Sequence, residues 1–213
     1  QDKLNEFDYE LTIYNISLGK DTFSQVDHVL KRRAAEGCLF ISIHLEQEEW
    51  KLLSKYNTPI TLIDEYFEGF DSVSVDNTQG AYRATKHLLD SGFSKVAMLS
   101  AVSTSKPIET RMAGYRKAHE DTNTPFNPKF IISGDSIYRD GFTERGGYEA
   151  MTKILTLHPD IEACFCASDI QAVGALKAMQ DIGKHIPLIG YDDIELAEYI
   201  GLSTIRQPMR DMG

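Results

Sequence analysis

With 22 basic and 32 acidic side chains among 213 residues, a net charge of −10 and 42% hydrophobic content, the chain has the composition of an ordinary water-soluble globular protein, long enough for one large domain or two small lobes. The charge repels phosphate backbones, which excludes a nucleic-acid-binding surface on this stretch. No apolar run approaches the roughly 18 residues that cross a bilayer, so no membrane partner is expected.

Gln1–Phe7 reads as the tail of a helix, with no basic or apolar leader, and feeds a first strand expected at Glu10–Tyr14. Further short β-branched or apolar runs follow at Cys38–Ile43, Ile60–Ile63, Val73–Val75, Val96–Leu99, Phe130–Ile132, Ala163–Cys166, Leu188–Ile189 and Thr204–Ile205. Between them apolar residues recur at helical spacing: Phe23, Val26, Leu30 and Ala34; Ala81, Ala84, Thr85 and Leu88; Tyr148, Met151 and Leu155; Ala172, Ala175, Leu176 and Met179. Asp76–Asn77 and Ser168–Asp169 stand where N-caps belong, and Gly92 and Gly183 where helices end in a left-handed residue. Alternating strands and helices force right-handed crossovers and a mostly parallel sheet covered on both faces, a doubly wound α/β architecture. The alternation breaks at Glu65–Ser72, which predicts a change of lobe. The start of the chain lacks the strand that normally opens such a lobe, and the end stops just after a helix entry at Pro208–Met209, so both limits read as incomplete.

Cys38, Cys164 and Cys166 lie inside apolar runs and read as small buried hydrophobes, with no metal site expected. The phosphate-binding glycine motifs and the serine-hydrolase motif are absent, and the six His residues are scattered, so no catalytic set is expected. Gly190-Tyr191-Asp192-Asp193 places two carboxylates at a strand's carboxyl end, where open α/β sheets bind ligands. Asp192 can accept two hydrogen bonds from neighbouring hydroxyls, whereas Asp193 equally reads as a cap for the helix starting near Glu195. Adjacent residues point apart, which argues against a glycosidase dyad. Arg111, expected in the first turn of a helix after the loop Ser103–Ser105, either forks onto a polar ligand or is a solvated surface arginine. Phe142, in the polar loop Arg139–Gly147, either stacks on a ligand or anchors the loop, and Ser168 most simply caps a helix.

Taken in order, Leu62-Ile63-Asp64, Val73-Ser74-Val75-Asp76-Asn77, Gly80, His87-Leu88-Leu89, Gly92-Phe93, Arg111-Met112-Ala113-Gly114-Tyr115, Gly147-Tyr148, Ala167-Ser168-Asp169, Gly190-Tyr191-Asp192-Asp193 and Gln207-Pro208-Met209 closely resemble the LacI/GalR family of bacterial transcription regulators. The resemblance covers nearly the whole chain. It implies the effector-binding and dimerisation core: two periplasmic-binding-protein-like (type I) α/β lobes, each a doubly wound parallel sheet, with a ligand cleft between them. Residues 1–75 would form an incomplete N-terminal lobe, 76–206 the C-terminal lobe, and 207–213 the crossover returning to the first. Carried over residue by residue, Asp192 and Arg111 match the acid and base that hold sugar hydroxyls or purines. Phe142 matches the aromatic stacker, Ser168 the position usually held by asparagine, Asp64 a residue on the N-terminal side of the cleft, and Gln207 a polar residue at the crossover. Helix 170–182, with Ala172, Ala175, Leu176 and Met179, and the segment around Tyr199 resemble the subunit interface of a homodimer, although that stripe equally reads as intramolecular core.

The sequence departs from the family at Ser168, which lacks an amide donor, and at the connection from Gly183 to Leu188, which is shorter than usual. The resemblance implies a cytoplasmic, non-enzymatic, ligand-responsive regulator, expected to be a repressor. No cofactor is expected. Operator DNA would be held by an N-terminal helix-turn-helix that these residues do not include. With Arg111 the one base placed in the cleft, a neutral sugar is the expected effector rather than a sugar phosphate. The rival reading is the extracytoplasmic sugar-binding protein of an ABC transporter, against which the unpaired cysteines and absent leader count.

Overall fold

A computed structural model describes residues 4, 6–17, 21–102, 105–135 and 138–208, with 139 and 140 described by backbone alone. The chain divides into two compact units, residues 1–73 and 74–213.

In the first unit, β1 (Cys38–Ile41), β2 (Ile60–Ile63) and β3 (Asp71–Val73) form a parallel sheet in that order. Helices α1 (Thr22–Lys31) and α2 (Gln47–Leu53) bring Val26, Leu30, Trp50 and Leu53 against Phe40, Ile60 and Leu62. Alternation along the strands explains the arrangement, since Phe40 faces this core while its neighbours Leu39 and Ile41 point away and are 59% and 61% exposed. The helical periodicity did not mark α2, which is short and is started by a capping box between Glu46 and Glu49.

One predicted strand is absent. Residues 9–17 have no regular structure, and Leu11 and Ile13 are exposed. Alternation makes a strand only where a neighbouring edge completes its hydrogen-bond ladder, and among the described residues β1 pairs only with β2. Of the expected helix tail, Leu4 and Glu6 are helical, while 1–3 and 5 lie outside the described residues. Residue 209 of the expected helix entry and 103–104 of the Ser103–Ser105 loop also lie outside them.

The second unit is a five-stranded, fully parallel sheet in the order β5-β4-β6-β7-β8, with β4 (Val96–Leu99), β5 (Ile131–Ile132), β6 (Ala163–Cys166), β7 (Leu188–Asp192) and β8 (Ser203–Arg206). Its helices are α3 (Asn77–Asp90), α4 (Lys106–Asp121), α5 (Glu144–Leu157), α6 (Asp169–Ile182) and the short α7 (Glu195–Tyr199). The strand period of two sorts the core into two layers. Met98 and Phe165 pack with Ala81, Ala84, Leu88 and Tyr115 of α3 and α4. Ala97, Leu99, Cys164 and Cys166 pack with Met151, Ile154, Ala172, Ala175 and Met179 of α5 and α6. Side chains of the size of Met98, Phe165 and Met151, each fully buried, contribute about 1.5–3 kcal/mol apiece.

The helix boundaries follow from local chemistry. Asp76 caps α3 by accepting from the Gln79 N–H at 2.8 Å, Thr143 caps α5 through the Gly146 N–H at 2.9 Å, and Ser168 caps α6 through the Gln171 N–H at 3.3 Å. Gly183 ends α6 with φ of 75°, which glycine adopts without steric cost.

The expected interface stripe on α6 requires a correction. Ala172, Ala175 and Met179 are buried inside this unit, so they have no surface to offer a partner, and Leu176 packs against the same core. The stripe is intramolecular because α6 lies over β6 and against α5, and its small side chains permit that close approach. Tyr199, by contrast, is 76% exposed, flanked by the exposed Leu196 and Ile200.

Candidate functional site

β7 ends at Asp192, β6 runs into Ala167, and α6 begins at Asp169, so the carboxyl ends of two central strands meet the amino end of a helix. Open parallel sheets collect ligand-binding groups at this edge because strand-end loops and helix N-termini converge there. Arg111 reaches the same place from α4. The helix begins at Lys106, earlier than expected, so Arg111 lies in its second turn and on its buried side. It is 6% exposed, which overturns the reading of a solvated surface arginine.

The Arg111 guanidinium is held on several sides. Its Nε donates to Asn77 Oδ1 of α3 at 2.9 Å and its Nη1 to the Ala167 carbonyl at 2.5 Å. Its carbon lies 4.0 Å above the centre of the Tyr191 ring, a cation–π geometry. That ring can pass beneath it because Gly80 carries no side chain: a Cβ there would meet the Tyr191 hydroxyl at 2.4 Å. The arginine's Nη2 stands 3.9 Å from Asp192 Oδ1. This separation is beyond direct hydrogen bonding and within Coulombic reach.

Asp192 itself is strained and largely enclosed. Its φ is 122° and that of Asp193 is 60°, two successive non-glycine residues in a region that costs of order 1–3 kcal/mol each. Gln207, just past β8, donates from Nε2 to Asp192 Oδ1 at 2.5 Å, and the Gln207 Oε1 is buried with no partner among the described residues. Burial pushes the Asp192 carboxyl up to about 6, against the opposing pull of Arg111 and of the Gln207 hydrogen bond. The nearby Asp169 carboxylate pushes it the same way as burial.

The structure thus brings Asp192, Arg111 and Gln207 together. Ser168 lies beside them, buried, with its hydroxyl engaged in capping α6. Asp193 does not cap α7, whose N-cap is Ile194; it pairs with Arg206. Phe142 packs against the α3/α4 core layer. The loop is drawn down by Gln171, which donates to the Ser100 and Gly141 carbonyls at 2.9 and 3.1 Å. Asp64 belongs to the first unit, at the carboxyl end of β2, where its N–H donates to the Val73 carbonyl at 3.0 Å. Beside it, His44 and Glu65 form a 2.7 Å pair.

Three contributors escaped sequence reasoning in these roles. Asn77 and Asp169 stood out only as members of cap pairs, and Tyr191 only as a neighbour of Asp192. Cap chemistry is visible in a sequence because it is local; that the same side chains also serve partners from other helices and strands has no local signal.

Residues 1–206 match the family described as periplasmic binding proteins and sugar binding domain of the LacI family. The chain is 33% identical over 200 residues to the HTH-type transcriptional repressor PurR of Aliivibrio fischeri strain MJ11, covering 87% of this chain and 56% of that protein. It is 29% identical over 213 residues to the repressor of the same name from Haemophilus influenzae strain PittEE, covering 96% of this chain and 62% of that one. The chain therefore spans little more than half the length of these relatives. Among solved structures, a LacI family transcriptional regulator from Enterococcus faecium with bound ribose superposes with a TM-score of 0.84 at 24% identity, covering 99% of this chain and 77% of that chain, a likeness of fold.

Proposed function

The chain belongs to the family of periplasmic binding proteins and LacI-type sugar-binding domains, and from that premise we propose that it is the effector-binding core of a ligand-responsive transcriptional repressor. The observation that carries this reading is the 3.9 Å gap between the Arg111 guanidinium and the Asp192 carboxylate at the carboxyl edge of the five-stranded sheet. A hydroxyl set there accepts from the arginine and donates to the aspartate, and a sugar supplies such hydroxyls in pairs. The effector is a neutral sugar or a similarly hydroxylated small molecule, and Gln207 and Ser168 frame its place. The ribose-bound regulator of the same fold supports this ligand class. That the relatives are repressors favours a regulator over a transporter's binding protein. Operator DNA would be held by a helix-turn-helix segment outside these residues. The homodimer would use the exposed surface of Leu196, Tyr199 and Ile200 rather than the buried stripe of α6. No described helix is long and apolar enough to cross a membrane.

An effector moves a two-state protein only by its differential affinity for the two states. A coupling of about 1–3 kcal/mol changes operator affinity roughly 5–150-fold, enough for a switch. A thermal-shift screen starting from ribose and cellobiose tests the assignment. A bound sugar at ~100 times its Kd adds about 2.7 kcal/mol to the folded state. Asp192→Ala should abolish that shift, and a variant that melts and responds like the parent would reject the site.

The raised carboxyl of Asp192 gives a second expected result. The ionised carboxylate is the stronger acceptor, so effector affinity should be highest above pH 7 and fall by up to about tenfold at pH 5, one unit below its value of about 6. Calorimetry across that range reads it, and a flat profile would remove Asp192 from the contact. The ligand-free fold runs in the opposite direction. A carboxyl raised by folding stabilises the native state below its unfolded value near 4, and that contribution is lost as pH rises through about 6.

A further inference from the structure

We infer that Asp169 is a positioning residue for this site: its buried carboxylate clamps the turn between β7 and α7 and thereby sets where the Asp192 carboxylate stands opposite Arg111. Asp169 is 0% exposed. Its Oδ2 accepts from the Ile194 N–H at 2.9 Å, and its Oδ1 accepts from the Thr204 hydroxyl of β8 at 2.6 Å. That hydroxyl oxygen in turn accepts from the Asp193 N–H at 3.2 Å. One carboxylate therefore ties down, directly or through Thr204, the two residues that follow Asp192, across the segment where Asp192 and Asp193 carry φ of 122° and 60°. Such a conformation persists only where its surroundings over-determine it. Gly190 completes the fit, since a Cβ there would come within 2.0 Å of Asp169 Oδ1.

The clamp is also electrostatic. Among the described residues, the charged and titratable groups around Asp192 are Arg111 from α4, Asp169 from α6, and Tyr191 and Asp193 on its own strand end. Asp76 at the start of α3 acts on Tyr191, and Arg206 of β8 is taken up by Asp193. Among these, Asp169 is the fully buried anion, and its charge opposes ionisation of Asp192 while its hydrogen bonds hold Asp192 in place. The consequence for effector binding rests on the proposed role of Asp192; the clamp itself does not.

The test uses the ligand-free protein. Carboxyl 13C NMR follows the titration of Asp192, and the Gln207 side-chain amide resonance reports its hydrogen bond to Asp192. Asp169→Asn is isosteric and can offer its oxygen to the Ile194 N–H while the Thr204 hydroxyl turns to accept from its amide. It should keep the Gln207 resonance and move the Asp192 midpoint down from about 6 toward the ordinary carboxylate range. Asp169→Ala should shift the Gln207 amide resonance away from its hydrogen-bonded position. An unmoved midpoint in Asp169→Asn, or an unmoved Gln207 amide in a folded Asp169→Ala, overturns the assignment, and should the alanine variant not fold, the asparagine midpoint decides. Failure of the parent protein to bind any sugar would count against the proposed function and leave these readouts intact.

Discussion

Arg111→Ala should destabilise the second unit by about 3 kcal/mol, the low end of what breaking a buried ion pair from one side costs. Arg111 is buried, so its loss strands Asn77 Oδ1, leaves the Ala167 carbonyl without that donor, removes the cation over Tyr191 and leaves Asp192 without its counter-charge. Asp192 escapes part of the penalty because its side chain is 29% exposed and can take up a proton, which is why the low end applies. For a domain stable by 5–15 kcal/mol this is a large fraction, and a melting curve should fall by roughly 6–12 °C. Arg111→Lys should recover little, since an ammonium reproduces neither the two-directional donation nor the flat stacking. Arg145, 82% exposed and paired with Glu149 one helical turn away, provides the control: Arg145→Ala should melt with the parent. If Arg111→Ala melts with the parent, the guanidinium is not structural, and its role reduces to ligand contact.

Gly174→Ala should cost a comparable amount by another route. A Cβ at this position of α6 would stand 1.8 Å from the Glu144 carbonyl oxygen and 2.8 Å from the Tyr148 nitrogen of α5, and Gly147 meets the Gln171 carbonyl reciprocally at 2.0 Å. These neighbours are backbone and cannot swing aside, so the helices must separate and loosen the layer around Met151, Ala172 and Ala175. Overpacking of this kind costs about 1–3 kcal/mol and sometimes more. The roughly 1 kcal/mol by which alanine is the better helix former offsets part of it. A net loss of about 2 kcal/mol, the upper end of that difference, is expected in denaturant unfolding. Gly37→Ala, whose Cβ would lie 3.6 Å from the Pro59 carbonyl, should change stability by less than about 0.5 kcal/mol. Equal midpoints for the two variants would mean that α5 and α6 do not pack as closely as described.

What a residue's sequence neighbourhood discloses depends on the range of the interaction. The second unit's fold was legible almost throughout, because Val96–Leu99 and Ala163–Cys166 are apolar on both faces, as a strand covered on both sides must be. The starts of α3, α5 and α6 lie within three residues of the side chains that cap them. The same local reasoning failed for Glu10–Tyr14, where alternation was present and a ladder partner was not, and for α2, whose brevity hides its period.

At the site, the carboxylate of Asp192 could be located from the strand ending ahead of it. The enclosure of Arg111 could not, since its partners come from α3, from the end of β6 and from β7, remote in sequence from α4. The burial of Ala172, Ala175 and Met179 was open for the same reason: an apolar stripe states that a face will be covered and is silent about what covers it. By itself the sequence determined the alternating α/β layout, the helix ends and the family, because periodicity and capping act over a few residues. Only the tertiary structure decided that one buried aspartate holds another against a buried arginine, because a residue's charge state and neighbours depend on which distant segments exclude water from it.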